Sequence, residues 1–449
     1  MEFPFPIPAT GSFSTARDRV LTAQLLGFRD FGKRTRWITT SFQDSRNVPK
    51  DVPTFVNEFW TARQRQASSL HEVSYRACFK PQLPRFFIER LTRPGDVIYD
   101  PFMGRGTTPM EAALLGRVPF GNDINPLSLT FTRPRLRPPA LNEIAARLKE
   151  INLTDHDEFP KDLLVFYHPE TLREICALKK YFLSRSGASS TASASSHRTL
   201  KRELQRAGSE ADAPFDPVDD WLRMVALNRL TGHSPGFFSV YTLPPNQAVS
   251  MKSQRKINEK RKQIPPRRDV AKLILKKSKQ LLGDCTPAVR RTLAKVADGA
   301  LLLTTHADAT PRIPSNSVSL VVTSPPFLDI VQYADDNWLR CWFLGIDPKS
   351  VKLTVPRKLD AWKDAMTSTF RELHRVLKPG GHVAFEVGEV HSGKTKLEEH
   401  VLPCGAAAGL EPVLVLINDQ KFTKTANCWG VDNNFKGTNT NRIVLFQKR

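Results

Sequence analysis

The sequence predicts an α/β protein: a doubly wound sheet carrying a large mid-chain insertion. Three observations lead there. Residues 96–100 read as a strand, break at a glycine-containing turn, continue as a helix through Met110 to Leu115, and are followed by a second strand at 118–123. Residues 300–449 repeat the alternation, with strands at 300–304, 318–323 and 382–387, helices at 334–344 and 362–377, and a closing pair of strands at 413–417 and 443–446. Between the two runs, residues 127–299 stand apart as an insertion. Alternating strands and helices imply parallel strands joined by right-handed crossovers.

Taken in order, residues 1–70 are mixed, with apolar and aromatic positions such as Phe55, Phe59 and Trp60, and read as a supporting region. Residues 71–130 form the first half of the sheet domain. Phe79, Lys80 and Pro81 lead into a helix at 85–91, just before the first strand. The turn after that strand is Asp100-Pro101-Phe102-Met103-Gly104-Arg105-Gly106-Thr107-Thr108. Its glycines let backbone approach a ligand closely, and the helix beyond them offers free N–H groups. Asp123, ending the next strand in Gly121-Asn122-Asp123-Ile124-Asn125-Pro126, suits a ribose diol.

The insertion, 131–299, contains a helix at 169–184. The small-residue tract after it cannot bury enough apolar surface to order itself, so 184–215 read as a flexible loop. An aromatic, proline-rich piece at 235–247 runs into a basic segment at 252–279. Arg255, Lys256, Lys260, Arg261, Lys262, Arg267 and Arg268 suit phosphate contacts, and the interleaved Gln254, Asn258 and Gln263 suit base-edge hydrogen bonds. A solvated helix face is the alternative reading.

The final part, 300–449, holds the most informative feature. Ser324-Pro325-Pro326-Phe327 ends the strand at 318–323. Two prolines in series stop a strand and stiffen the chain beyond it. The corner presents a hydroxyl, carbonyls and an aromatic face, which suits a planar ring carrying an exocyclic amine. A proline-stiffened loop is the plainer alternative. Asp308 lies just after the strand at 300–304. Ligands of doubly wound sheets sit at the carboxyl ends of the strands, which puts Gly104, Asp123, Asp308 and Ser324 on one rim.

Composition narrows the partners. A chain of 449 residues with 40% hydrophobic and 25% charged residues fits a soluble globular protein. A formal net charge of +21 favours a polyanion, with DNA, RNA and anionic membrane all compatible. No stretch is apolar enough to span a bilayer, and the N-terminus lacks a secretion-signal pattern. Six scattered cysteines without a Cys-x-x-Cys pair argue for a reducing compartment and against zinc.

The 100–108 motif closely resembles the S-adenosylmethionine motif of amino-directed DNA methyltransferases. Residues 121–126 resemble the family's second motif, Thr323-Ser324-Pro325-Pro326-Phe327 its catalytic motif, and Arg375-Val376-Leu377-Lys378-Pro379-Gly380-Gly381 the turn before its fifth strand. The likeness covers two stretches, 70–130 and 300–449. It implies a Rossmann-like class I methyltransferase sheet with S-adenosylmethionine as cofactor. Phe79, Lys80, Pro81, Asp100, Phe102, Gly104, Gly106, Thr107, Thr108, Asp123, Asn125 and Asp308 would then hold the cofactor, with Asp308 at its adenine. Ser324, Pro325, Pro326 and Phe327 would act on a base flipped from double-stranded DNA.

Family members with Ser first in the catalytic motif usually methylate cytosine N4, which Ser324 favours. Adenine N6 is the alternative. RNA and protein-glutamine methyltransferases carry related Asn/Asp-Pro-Pro-Tyr corners, and a silent DNA-binding relative is a further rival. The resemblance also implies a cytoplasmic, nucleoid-associated prokaryotic or phage enzyme with a cognate restriction endonuclease as companion, and neither metal nor membrane. Cys404 comes directly after a proline, as does the nucleophile of carbon-5 cytosine methyltransferases, but its place after 378–381 makes it structural. One departure from the family order stands out: the insertion precedes Asp308 rather than coming after it.

Overall fold

The structure is a computed structural model. It describes residues 16–44, 47–61, 67–75, 78–154, 158–185, 216–242, 249–326, 333–351, 358–387, 389–390, 395–419 and 440–449. Among the described residues nine strands build one sheet: β1 Arg36–Gln43, β2 Pro49–Asn57, β3 Val97–Asp100, β4 Val118–Asn122, β5 Leu301–Leu303, β6 Val318–Thr323 and β7 Leu377–Val387, joined after a two-strand ribbon, β8 Glu389–Val390 and β9 Thr395–Lys396, by β10 Glu411–Asp419 and β11 Thr440–Gln447. Their order across the sheet is β1-β2-β10-β11-β7-β6-β3-β4-β5. β5, β4, β3, β6 and β7 run parallel. β11 is antiparallel to both neighbours, β7 and β10. The α/β expectation therefore holds. The chain leaves β3 toward one edge through β4 and β5, then returns to β6 on the other side of β3, so the switch in strand order falls between β3 and β6.

Strand alternation divides the apolar residues between two faces. Tyr99, Val321, Val383, Phe385, Val444 and Phe446 pack with the helices Leu359–Val376 and Leu397–Ala407. Ile98, Leu320, Val322, Ala384, Ile443 and Leu445 pack on the other side with the helices Ala16–Gly27 and Gln82–Leu91. Both faces being covered explains why these strands read as nearly continuous apolar runs. Between β4 and β5 lies a run of helices, from Leu127–Leu136 and Leu141–Glu150 through Pro169–Arg185, Pro217–Arg229, Met251–Arg261 and Val270–Leu281 to Pro287–Ala297. Their core is continuous with Met110 and Ala113 on the helix Thr107–Leu114, and with Leu339 and Phe343 on the helix Tyr333–Leu344.

Three differences from the sequence reading have physical causes. Residues 378–381 are part of β7, not a turn before it; positive φ at Gly380 (76°) lets the strand continue through an irregularity, where pairing shifts between Val318↔Leu377 and Leu320↔His382. The N-terminal region extends the sheet: β2 pairs parallel to β10, and β1 pairs antiparallel to β2. β1 is exposed along most of its length, so it carries no apolar alternation to read. Of the tract at 184–215, residues 184 and 185 end the helix Pro169–Arg185, and 186–215 lie outside the described residues.

Asn418 anchors this N-terminal extension. Its side-chain oxygen accepts from the N–H groups of Phe59 (2.7 Å) and Trp60 (3.2 Å), and its amide donates to the Trp60 carbonyl at 3.2 Å. All three residues are buried, in an aromatic cluster with Phe28 and Phe86. Asn418→Ala should strand two backbone donors and one acceptor and cost about 2–4 kcal/mol. Urea unfolding of parent and variant measures it.

Candidate active site

Asp100 ends β3 with its carboxylate in the interior. One oxygen, Oδ1, accepts from the Thr323 hydroxyl at 2.6 Å and from the Phe102 N–H at 3.1 Å. The other, Oδ2, is buried and has no hydrogen-bond partner among the described residues. Burial pushes the carboxyl up to about 7, against the opposing hydrogen bond from Thr323, with the nearby Asp123 carboxylate adding to the rise. On the helix that the turn leads into, Thr108 donates to the Val322 carbonyl at 3.0 Å. The glycine turn and the strand that ends at Ser324 are thus joined by two side-chain hydrogen bonds.

The turn owes its shape to Gly104 (φ 52°) and Gly106 (φ 77°). A Cβ on Gly106 would also collide with Thr132. Gly104 N–H donates to Asp123 Oδ2 at 2.8 Å, and Asn125 N–H donates to Asp123 Oδ1 at 2.9 Å. Asp123 is half-buried, and burial raises its pKa. Each of its oxygens accepts one backbone N–H, which leaves acceptor capacity for a diol. Asn122 is fully buried and ties three segments together: its amide donates to the Pro101 and Thr305 carbonyls, and its oxygen accepts from Thr305 N–H at 3.0 Å. Thr107 is buried, and its hydroxyl accepts from Arg105 Nε at 3.3 Å.

The segment before the first strand closes this rim. Tyr75 OH accepts from the Asn125 amide at 2.6 Å, and its ring faces Gly104. Arg105 donates to the Val73 carbonyl at 2.8 Å. The fully buried Arg135, lowered to about 9 by burial, donates to the Leu70 carbonyl at 3.0 Å and to the Arg105 carbonyl. Lys80 is half-buried, its pKa lowered by burial and then by Arg105. Phe79 packs on the apolar face beside the helix Gln82–Leu91, for which Pro81 is the capping position. Of these three, Lys80 is the one within electrostatic reach of the glycine turn, through Arg105. Asp308 is exposed on a turn after β5, closed by the Ala309 N–H to the His306 carbonyl at 3.1 Å.

Ser324 comes directly after β6. The pairing Thr323↔Phe385 places it opposite Glu386 of β7. The Ser324 hydroxyl stands near the Glu386 carboxylate and acts to lower its pKa, and the carboxylate accepts from the Asn441 amide at 2.5 Å. Glu386 is buried, and burial pushes its carboxyl up to about 6 despite these two neighbours. The Pro326 carbonyl accepts from the indole N–H of the fully buried Trp362 at 3.1 Å, which fixes the corner. Phe327 lies outside the described residues.

Sequence reasoning misses Glu386, Asn441, Trp362, Asn122, Tyr75 and Arg135 as members of the site. A single acid in the apolar run His382-Val383-Ala384-Phe385-Glu386-Val387 is the available signal for the first. Cys404 is buried and its thiol donates to the His400 carbonyl at 3.1 Å, with burial raising its pKa.

The basic segment divides. Arg255, Lys256, Lys260, Arg261 and Lys262 are exposed on or just after the helix Met251–Arg261, with Arg261 stacked over the Tyr241 ring at 3.8 Å. Arg267 is ion-paired to Glu170 at 2.7 Å and to Glu174, so its charge is met within the protein; Arg268 is held through its backbone by Thr171, and Arg255 lies 3.9 Å from Asp162. The interleaved amides do not serve base edges: Gln254, Asn258 and Gln263 turn inward, spent on the Tyr241 and Val165 carbonyls and on one another. Capping the loop around Tyr241 satisfies buried carbonyls that would otherwise be stranded. Among the described residues no cluster of three or more His, Cys, Asp or Glu could hold a metal, and no helix is long and apolar enough to cross a membrane.

Residues 32–130 match the family model of N6/N4 methyltransferases described as DNA methylase. The type II methyltransferase M.BsoBI of Geobacillus stearothermophilus is 22% identical over 324 residues, 68% of this chain and 58% of that protein. The type II methyltransferase M.MjaII of Methanocaldococcus jannaschii is 32% identical over 101 residues, 22% of this chain and 18% of that protein. The chain thus spans little more than half of the first relative and under a fifth of the second. Among solved structures, a TehB-like SAM-dependent methyltransferase from Corynebacterium glutamicum is 7% identical, covering 82% of this chain and 87% of that chain with a TM-score of 0.29. The segment that holds the N-terminal hairpin, the glycine turn and Asp123 is thus similar to the N6/N4 DNA methylase family.

Proposed function

We propose that this protein is an S-adenosylmethionine-dependent DNA methyltransferase that modifies the exocyclic N4 amine of a flipped cytosine within a restriction–modification system. One observation carries the reading: Ser324, beside the buried Glu386, directly follows Thr323, whose hydroxyl is hydrogen-bonded to Asp100 at the start of the glycine turn. The matched family and the type II relatives support it.

The residues present suit a cationic nucleoside cofactor. Asp100 offers a buried, unpartnered carboxylate oxygen, and Asp123 keeps free acceptor sites suited to a ribose. Two neighbouring carboxylates, each raised by burial, gain from a nearby cation. Gly104, Gly106, Thr107, Thr108 and Phe102 frame the same turn, with Tyr75, Lys80 and Asn125 beside it, Phe79 and Pro81 flanking Lys80 in the chain, and Asp308 for the adenine. When bound, the cofactor supplies an electrophilic methyl group on a sulfonium.

The protein's own task is to make a poor nucleophile better. An aromatic amine shares its nitrogen lone pair with the ring. Glu386 would accept the Ser324 proton, which turns the lone pairs of Ser324 Oγ outward. Those lone pairs and the Pro325 carbonyl accept the two amine hydrogens and draw the nitrogen toward tetrahedral geometry. Alignment of the reacting atoms adds the larger gain. As the nitrogen acquires its methyl group it must lose a proton. Ser324 Oγ is placed to receive that proton as its own passes to Glu386. Phe327 would stack on the flipped base, and the exposed Arg255, Lys256, Lys260, Arg261 and Lys262 would meet phosphates.

Three outcomes test this. Ser324→Ala should lower turnover by roughly a hundredfold while calorimetry shows cofactor binding retained; mass spectrometry of digested DNA should find N4-methylcytosine, and N6-methyladenine alone, or methylated RNA with unmodified DNA, would refute the choice of target. Gly106→Ala should abolish cofactor binding, because it demands both positive φ and space that Thr132 occupies. Glu386 has a folded-state pKa above that of an ordinary glutamate, so its ionisation opposes folding as pH rises through about 6. Glu386→Gln should therefore raise the melting midpoint at pH 8, with the gain shrinking toward pH 5, while turnover falls and loses its rise through about pH 6.

A further inference from the structure

A cavity of about 450 Å³ lies in the helical insertion. Arg229, at the end of the helix Pro217–Arg229, forms one wall. Lys276, Lys277 and Gln280, from one face of the helix Val270–Leu281, form the other, with Ser234 and Gly236 at the mouth. Arg229 and Lys277 are buried, at 8% and 6% exposure.

The cations outnumber their counter-ions. Among the described residues Arg229 donates to neutral groups, the Asn228 carbonyl (2.9 Å) and side-chain oxygen (2.8 Å) and the Gly236 carbonyl (3.4 Å), and it stacks on Phe237 at 4.1 Å. Lys277 donates to Gln280 Oε1 at 3.1 Å. Among the described residues the carboxylate paired with this group is Glu72, 3.8 Å from Lys277, a third exposed and shared with the Gln280 amide. Lys276 adds a third positive charge at the exposed edge. Burial, and after it the nearby Arg229, lower Lys277 to about 8 against the pull of Glu72, and burial lowers Arg229 to about 10. Like charges held side by side out of water are costly unless an anion joins them. An arginine fork, lysine ammonium groups and a serine hydroxyl converging on one cavity are the donors that phosphate takes.

The pocket is joined to the cofactor rim. Glu72 borders it, and Asn228, next to Arg229, donates to the Ser74 carbonyl at 3.3 Å. Three residues on from Glu72, Tyr75 bonds Asn125. Three residues of chain span at most about 10 Å, so pocket and rim fit within one DNA footprint. We propose that this cavity is a phosphate-binding pocket that grips the sugar–phosphate backbone beside the flipped base, an inference that rests on the DNA methyltransferase reading.

The test compares the parent with the double variant Lys276→Gln/Lys277→Gln, and with Lys277→Met as a variant that keeps the buried stem. Three quantities are read: affinity for duplex DNA across a salt series, the rise in melting midpoint with inorganic phosphate, and cofactor affinity by calorimetry. Expected are a loss of DNA affinity of about tenfold, a salt slope shallower by about one, a lost phosphate response and unchanged cofactor binding. Unchanged DNA affinity and salt slope in folded, cofactor-binding variants overturn the proposal. A lost phosphate response with DNA binding intact assigns the pocket to a free anion and also overturns it. If the parent itself binds no duplex DNA, the methyltransferase reading fails, and the phosphate response alone then decides whether the pocket takes anions.

Discussion

Asp100 and Thr323 end adjacent parallel strands, 223 residues apart in the chain, and the hydrogen bond between them is 2.6 Å long. It is buried, and the carboxylate it serves has few other partners, so breaking it would strand a charge in the interior. The glycine turn begins at the first of these residues, and the Ser-Pro-Pro corner begins just after the second. Thr108 repeats the link one step further in, to the Val322 carbonyl. The rest of the site is arranged around this seam: β4 and β5 are stitched to one side by Asn122, and β7 stands on the other, with Glu386 beside Ser324.

Carboxylates at the seam are held at a cost. Asp100, Asp123 and Glu386 are all raised by burial, and Asp100 feels Asp123 as well. A protein selected for stability alone would have neutral side chains there. Their retention makes sense if the site receives a positive ligand at one end and gives up a proton at the other, because each event relieves the strain of the charge nearest to it.

The insertion shows the same pattern with opposite sign. Its amides are consumed in holding loops, as Gln254, Asn258 and Gln263 hold the Tyr241 carbonyl, whereas many of its cations are left facing outward or into a cavity. Its core runs without interruption into the helix after the glycine turn and the helix Tyr333–Leu344. A surface built on that core is fixed relative to the rim by close packing rather than by a linker.

Local chemistry made much of this legible in the sequence. The strand at 318–323 matches β6 to the residue, the turn with Gly104 and Gly106 needs positive φ, and the apolar runs declared a sheet covered on both faces. The N-terminal hairpin stayed hidden because β1 is exposed and buries no periodic face, and Glu386 because a strand acid has no meaning until its neighbour is known. The sequence by itself determined which segments become strands and which corners must be rigid, since those depend on residues close in the chain. Only the tertiary structure decided that Ser324 meets Glu386, that Asp100 meets Thr323, and that the amides of the basic segment turn inward. Those contacts join residues tens to hundreds of positions apart, and strand register, helix packing and burial choose them.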